Sequence, residues 1–327
     1  MSRRIVPASA SSIALAADRL RAGELVAFPT ETVYGLGADA GNSDAVHRIF
    51  AAKGRPTEHP LIVHLPNAAH VEHWAREFPE GARRLAATFW PGPLTLILPR
   101  TARAADAVTG GQDSVGLRVP SHPVARQLLD AFGELGGSGI AAPSANRFGH
   151  VSPTTAQHVA EDLGDAVSMI VDGGPCDVGI ESTIVAFTGG EPMLLRPGGI
   201  AIEDLVRVLG EAPHAPDAMA PRASGTLASH YAPRAAARIV TSRQLLQEVA
   251  RLASSGERVA VLARTVLPPA NFAGAWIASH DDAPRYAHDL YANLRALDRP
   301  GVTAILIESV PNGGAWLAVR DRLTRAT

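Results

Sequence analysis

The sequence has one cysteine, Cys176, so no internal disulfide can form and a reducing compartment suits the chain. It also has one lysine, Lys53, because every other residue among the 30 lysines and arginines is arginine. Aromatic residues make up only 5% of the chain, which leaves little material for base-stacking platforms. The net charge of −2 gives no general attraction to a phosphate backbone, and no basic patch stands out. No apolar run approaches the roughly 18 to 20 residues of a membrane span. The opening "MSRRIVPASASSIALAADRL" reads as a surface helix, since Asp18 and Arg19 interrupt it before a signal-peptide core could form. The expected location is the cytoplasm. There is no G-x-x-x-x-G-K-[ST] loop and no internal repeat, and His70 and His73 lack the further ligands that a metal site needs.

At 327 residues and 46% hydrophobic content, the chain is sized for two globular domains. Over its first two hundred residues, "ELVAFPT", "PLIVHL", "LTLIL", "SVGLRVP", "GIAAPSAN", "SMIVDGG" and "STIVAF" read as strands. Between them, "DAVHRIFAAK", "HPVARQLLDAFG" and "TTAQHVAEDLG" have helical spacing, so the expected domain is α/β on a large mixed sheet. Periodicity fails from about 210 to 236, which reads as a linker between a larger domain (1–209) and a small one (237–327). In the latter, "ARIV", "RVAVLA", "AWIAS" and "VTAILIESV" alternate with three helical segments, the pattern of a Rossmann-like unit.

Lys53 continues the apolar stripe Val46, Ile49, Phe50 at helical spacing and precedes Gly54, a normal residue beyond a helix end. A basic residue there suits the helix dipole, but arginine would serve equally, and the chain chooses arginine everywhere else. A compact ammonium can approach one phosphate oxygen, whereas the adjacent Arg55 offers a planar fork, so "KGRP" is a candidate polyanion cradle. On this reading Lys53→Arg costs much rate and little stability. "GLGADAG" resembles a dinucleotide fingerprint, but its third glycine comes one position late.

Taken in order, "FPTETVYGLGADA", "KGRPTEHPLIVHL", "WPGPLTLIL", "VGLRVPSHP", "APSANRFGHVSPT" and "GIESTIV" resemble the YrdC-type threonylcarbamoyl-AMP synthases. The linker "HYAP" and the α/β tail are similar to the long, two-domain form of that family. The resemblance implies an enzyme, a nucleotidyltransferase that joins L-threonine, bicarbonate and ATP into threonylcarbamoyl-AMP and pyrophosphate. Mg²⁺ would arrive with ATP. A partner enzyme, a threonylcarbamoyl transferase, would then modify tRNA, so direct tRNA binding is not required.

Residue by residue, the resemblance implies that Lys53 and Arg55 hold phosphates and balance charge as pyrophosphate leaves. It places His59, Ser114, Ser144, Asn146, Ser152, Arg196, His230 and Tyr231 near the nucleotide, and Thr32, His64, Arg118, Ala142 and Ser182 near threonine. On the residues alone, alternatives stand beside these roles. Arg118, on an apolar strand, needs an anion that is either a substrate carboxylate or an internal carboxylate. Ser152 precedes Pro153 and a helix and suits a cap, and Arg196 suits a strand end. "ASGTLASHYAP" departs from the family's Ser-Pro-Gly, and serine in place of that proline is expected to loosen the turn. A non-catalytic RNA-binding module is the alternative function, and carbamoyl transfer a third.

Overall fold

The computed structural model describes residues 4–327. The chain forms two compact units, one running as far as Phe148 and again over Ser152–Thr226, the other comprising Gly149–Val151 and Leu227–Thr327. No helix or strand forms between Leu209 and Ala236, and the unit boundary falls within that stretch.

The first unit is built on ten strands: β1 (Ile5–Pro7), β2 (Val26–Phe28), β3 (Gly35–Asp39), β4 (Ile62–His64), β5 (Leu94–Pro99), β6 (Ser114–Arg118), β7 (Ile140–Ala141), β8 (Met169–Asp172), β9 (Thr183–Ala186) and β10 (Met193–Arg196). They form one mixed sheet in the order 1-8-2-3-7-4-6-5-9-10. Every segment read as a strand became one. β1, β3 and β10 escaped notice because they are short or rich in glycine. The opening stretch divides into β1 and the helix Ala10–Arg21, a surface helix that buries Ile13, Ala16, Ala17 and Leu20 and leaves its other face exposed.

Alternation along the strands sorts side chains onto two faces. Val63, Leu96, Val115 and Leu117 enter the main core, while Ile62, His64, Thr95, Ser114, Gly116 and Arg118 take the opposite face. The sheet is strongly coiled, because the Phe28 and His64 rings lie 6.3 Å apart although two strands separate β2 from β4. The glycines of β3 serve packing: a Cβ on Gly37 would come within 2.8 Å of the Phe28 ring. That accounts for "GLGADAG" without any dinucleotide.

The second unit holds a four-stranded parallel sheet, β11 (Ala236–Val240), β12 (Val259–Ala263), β13 (Trp276–Ala278) and β14 (Ala304–Glu308), in the order 11-14-12-13. β12 and β14 are buried at every position, as parallel strands covered on both faces must be. The helix Ser242–Ser254 lays Leu245, Val249 and Leu252 against them. No helix among the described residues is long and apolar enough to cross a membrane.

Candidate active site

The loop after β2 carries Thr30, Glu31 and Thr32, all buried. Arg118, at the end of β6 and 4% exposed, reaches it from the same sheet face. Its Nη2 lies 2.8 Å from Glu31 Oε1 and donates to Thr32 Oγ1 at 2.8 Å. The internal carboxylate is therefore present, yet it engages one corner of the guanidinium only. Arg118 Nε is buried with no hydrogen-bond partner among the described residues. Ser121 N donates to Glu31 Oε2 at 3.1 Å and fixes that carboxylate from its other side. Burial raises the Glu31 pKa, but the charge and hydrogen bonding of Arg118 outweigh it and hold the carboxyl below its usual range.

The hydroxyl hydrogens follow from the acceptors around them. Thr30 Oγ1 lies 2.7 Å from the carbonyl of Val33, which only accepts, so the Thr30 hydrogen points there. Thr30 Oγ1 also accepts from Thr32 N and Val33 N at 3.2 and 3.3 Å, and Thr32 Oγ1 lies 2.9 Å from it. Thr32 Oγ1 accepts from Arg118 and keeps a further lone pair for a ligand N–H or O–H group.

His64, paired in register with Arg118, is 2% exposed and its Nδ1 has no hydrogen-bond partner among the described residues. Burial first, and then the Arg118 charge, push its pKa down to about 3, so it is neutral at physiological pH. A histidine with a depressed native pKa leaves only the unfolded chain to take up a proton as pH falls, so stability declines from about pH 6.5 toward about pH 3. Denaturant unfolding is therefore expected to show wild type losing about 2 kcal/mol more than His64→Gln between about pH 7 and about pH 5. Equal losses in the two proteins would mean that His64 titrates normally.

Lys53 ends the helix Ser43–Lys53, which is capped by Asn42 at its start and by left-handed Gly54 (φ 62°) at its end. That turn sends Arg55 onward while Lys53 faces inward, 3% exposed. The Lys53 ammonium donates to the carbonyls of Ser144 and Asn146, both at 2.5 Å, and so fastens the loop after β7. Two of its three hydrogens are used and one remains. Burial, reinforced by the nearby Arg55, lowers its pKa well below that of an ordinary lysine. Arg55 lies over the Phe148 ring, 5.7 Å from its centre, and His59 packs on the same ring at 5.3 Å. Burial and then Arg55 lower the His59 pKa.

Farther along the same face, Arg196 Nε donates to Ser182 O at 3.0 Å and Nη2 to Ser182 Oγ at 3.1 Å. Its Nη1 donates to Ser224 O at 2.7 Å, and Arg55 Nη2 lies 3.5 Å from Ser224 Oγ. Two guanidinium groups thus converge on the oxygens of one residue. Ala223 beside it packs on Ile97, Ile184 and Leu195, and Arg222 N is bonded to Gln112 Oε1 at 2.6 Å. The strap 222–224 covers a narrow cavity floored by Ile62, Thr95, Ser114 and Gly116. At the position of the family's proline, Ser224 offers Arg196 a main-chain carbonyl, as proline would, and its hydroxyl lies 3.5 Å from Arg55. Ser152 is fully buried and donates to Glu181 Oε1 at 2.5 Å.

The structure thus gathers Thr32, His64 and Arg118 into one corner, Lys53, Ser144 and Asn146 into a second, and Arg55, Ser182 and Arg196 around Ser224. Ala142 lies at the end of β7, its N–H bonded to Ile62 O at 3.0 Å, and Ser114 begins β6. His230 and Tyr231 belong to the second unit, where Tyr231 adopts a left-handed backbone (φ 63°), stacks on Tyr291 and lies under the Arg322 guanidinium. Sequence reasoning gave no role to Glu31 and Glu181, although both lie inside the quoted motifs "PTET" and "GIEST", and the structure buries both. Ser224 was marked only as the serine standing where the family has proline, with no contact foreseen.

A family model described as telomere recombination (Sua5, YciO and YrdC) matches residues 18–198, and the threonylcarbamoyl-AMP synthase C-terminal domain matches 200–327. The chain is 41% identical to the threonylcarbamoyl-AMP synthase of Pyrococcus abyssi, covering 96% of this chain and 94% of that one. It is 42% identical to that of Bacillus subtilis, covering 96% and 92%. The crystal structure of P. abyssi Sua5 complexed with L-threonine superposes with a TM-score of 0.91 at 39% identity, over 98% of this chain and 97% of that one. These matches span both units, and the chain therefore belongs to the threonylcarbamoyl-AMP synthase family in its two-domain YrdC-type form.

Proposed function

We propose that the protein is an L-threonylcarbamoyladenylate synthase, a nucleotidyltransferase of the cytoplasm. The threonine amine attacks the carbon of carbon dioxide, derived from bicarbonate, and loses a proton to give a carbamate. A carbamate oxygen then attacks the α-phosphorus of ATP, and the bond to the β-phosphate oxygen breaks to release pyrophosphate. No enzyme nucleophile takes part, so the protein's contribution is positioning and charge stabilisation. The observation that carries this reading is one sheet face bearing a partly used guanidinium, Arg118, beside the Thr32 hydroxyl, with two further guanidiniums converging on Ser224.

In this reading the threonine carboxylate meets Arg118, and an N–H or O–H of threonine meets Thr32, with His64, Ala142 and Ser182 lining the pocket. Arg55, Arg196 and the remaining hydrogen of Lys53 meet phosphate oxygens, and Ser224 gives way to them. The nucleotide set also takes in His59, Ser114, Ser144, Asn146, Ser152, His230 and Tyr231. Mg²⁺ comes on the triphosphate. Phosphate oxygens and water would be its main ligands. A threonylcarbamoyl transferase would pass the group on to an adenosine of tRNA.

Protein incubated with Mg·ATP, bicarbonate and labelled threonine is expected to yield pyrophosphate and a labelled adenylate in equal amounts. Folded protein that forms neither, or that binds tRNA tightly without forming them, would overturn the proposal.

A further inference from the structure

We infer that Glu31 is a positioning residue for amino-acid binding, holding the Arg118 guanidinium on the sheet face with its unused edge turned to an incoming α-carboxylate. The inference rests on reading this corner as an amino-acid pocket and adds a residue to which the family resemblance gives no role. Both side chains are 5% exposed, so the guanidinium is cut off from water and needs an anion beside it. Among the described residues Glu31 is the carboxylate that forms an ion pair with it. Thr30 and Thr32 are neutral hydroxyls, and His64, the neighbour in register, is a neutral imidazole.

A carboxylate so close to Arg118 would ordinarily compete with a substrate for it. Here the backbone prevents that. Ser121 N binds Glu31 Oε2 at 3.1 Å, and Val178 N binds the main-chain carbonyl of Glu31 at 2.7 Å, so one carboxylate oxygen is fixed and the residue's backbone is anchored. It meets Arg118 through Nη2 alone, and that nitrogen also serves Thr32. The Nε–H, buried with no hydrogen-bond partner among the described residues, is left for a second carboxylate. A bidentate Glu31 would have closed the site, and no Glu31 at all would release a long, charged side chain toward solvent.

The test is calorimetric titration of the full chain with L-threonine and, separately, with Mg·ATP, for wild type, Glu31→Gln and Glu31→Asp. The glutamine variant is expected to weaken threonine binding at least about 10-fold while ATP affinity stays within about 2-fold, and aspartate to restore part of the loss. Unchanged threonine affinity, or equal weakening of both ligands, would overturn the inference. If Glu31→Gln does not fold, the aspartate variant decides: a selective loss for threonine supports it, and no loss or a loss for both ligands overturns it. A wild type that binds ATP but not threonine would remove the amino-acid pocket itself.

Discussion

Lys53→Arg is expected to slow adenylate formation by at least about 100-fold, the scale on which loss of one positioned donor acts on developing charge. The sequence alone suggested that this variant would stay stable, since the charge and helix end are kept. The structure changes that expectation. The ammonium sits 3% exposed between two carbonyls at 2.5 Å, and a planar guanidinium cannot fill the same space. Overpacking of this kind costs about 1–3 kcal/mol, so a lowered melting temperature should accompany the lost rate. Lys53→Met separates the two effects. It matches the stem, removes a buried charge and leaves two carbonyls short of a donor, opposing changes that leave stability nearer to wild type. Turnover should still be lost. A Lys53→Arg enzyme with normal turnover would reduce the lone lysine to a helix end.

The helix Ser43–Lys53 shows how far pattern reading reached. Val46, Ile49 and Phe50 predicted the buried face, and Gly54 its end, because these depend on local period and backbone freedom. That the Lys53 ammonium would hold the loop at Ser144 and Asn146 could not be read, since the partners are backbone carbonyls about ninety residues away. The strands followed the same rule. "SVGLRVP" announced an arginine on an apolar strand that needs an anion, and the anion proved to be Glu31. Its identity depends on the coiling of the sheet, which sets the loop after β2 against the end of β6, and no strand pattern encodes that. Ser224 was legible only as a departure from the family's proline; that two arginines meet at it could not be read from an aperiodic stretch.

The same distinction between partner and ligand decides how Arg118 should be tested. Arg118→Ala removes the guanidinium from Glu31 and leaves a carboxylate buried without compensation, at a cost of about 3–5 kcal/mol. Its low activity would then reflect folding as much as chemistry. Arg118→Lys keeps a cation beside Glu31 and discards the planar fork, so it tests recognition at a smaller cost in stability. Loss of charge-assisted bonding to a carboxylate is worth about 2–3 kcal/mol, which predicts a threonine KM raised by roughly 30- to 150-fold with the ATP KM little changed. Initial rates against threonine at saturating ATP, and against ATP at saturating threonine, give the two constants. If both rise together, Arg118 supports the fold of the whole face. If neither moves, the threonine carboxylate is held elsewhere, and the unused edge of Arg118 has some other ligand.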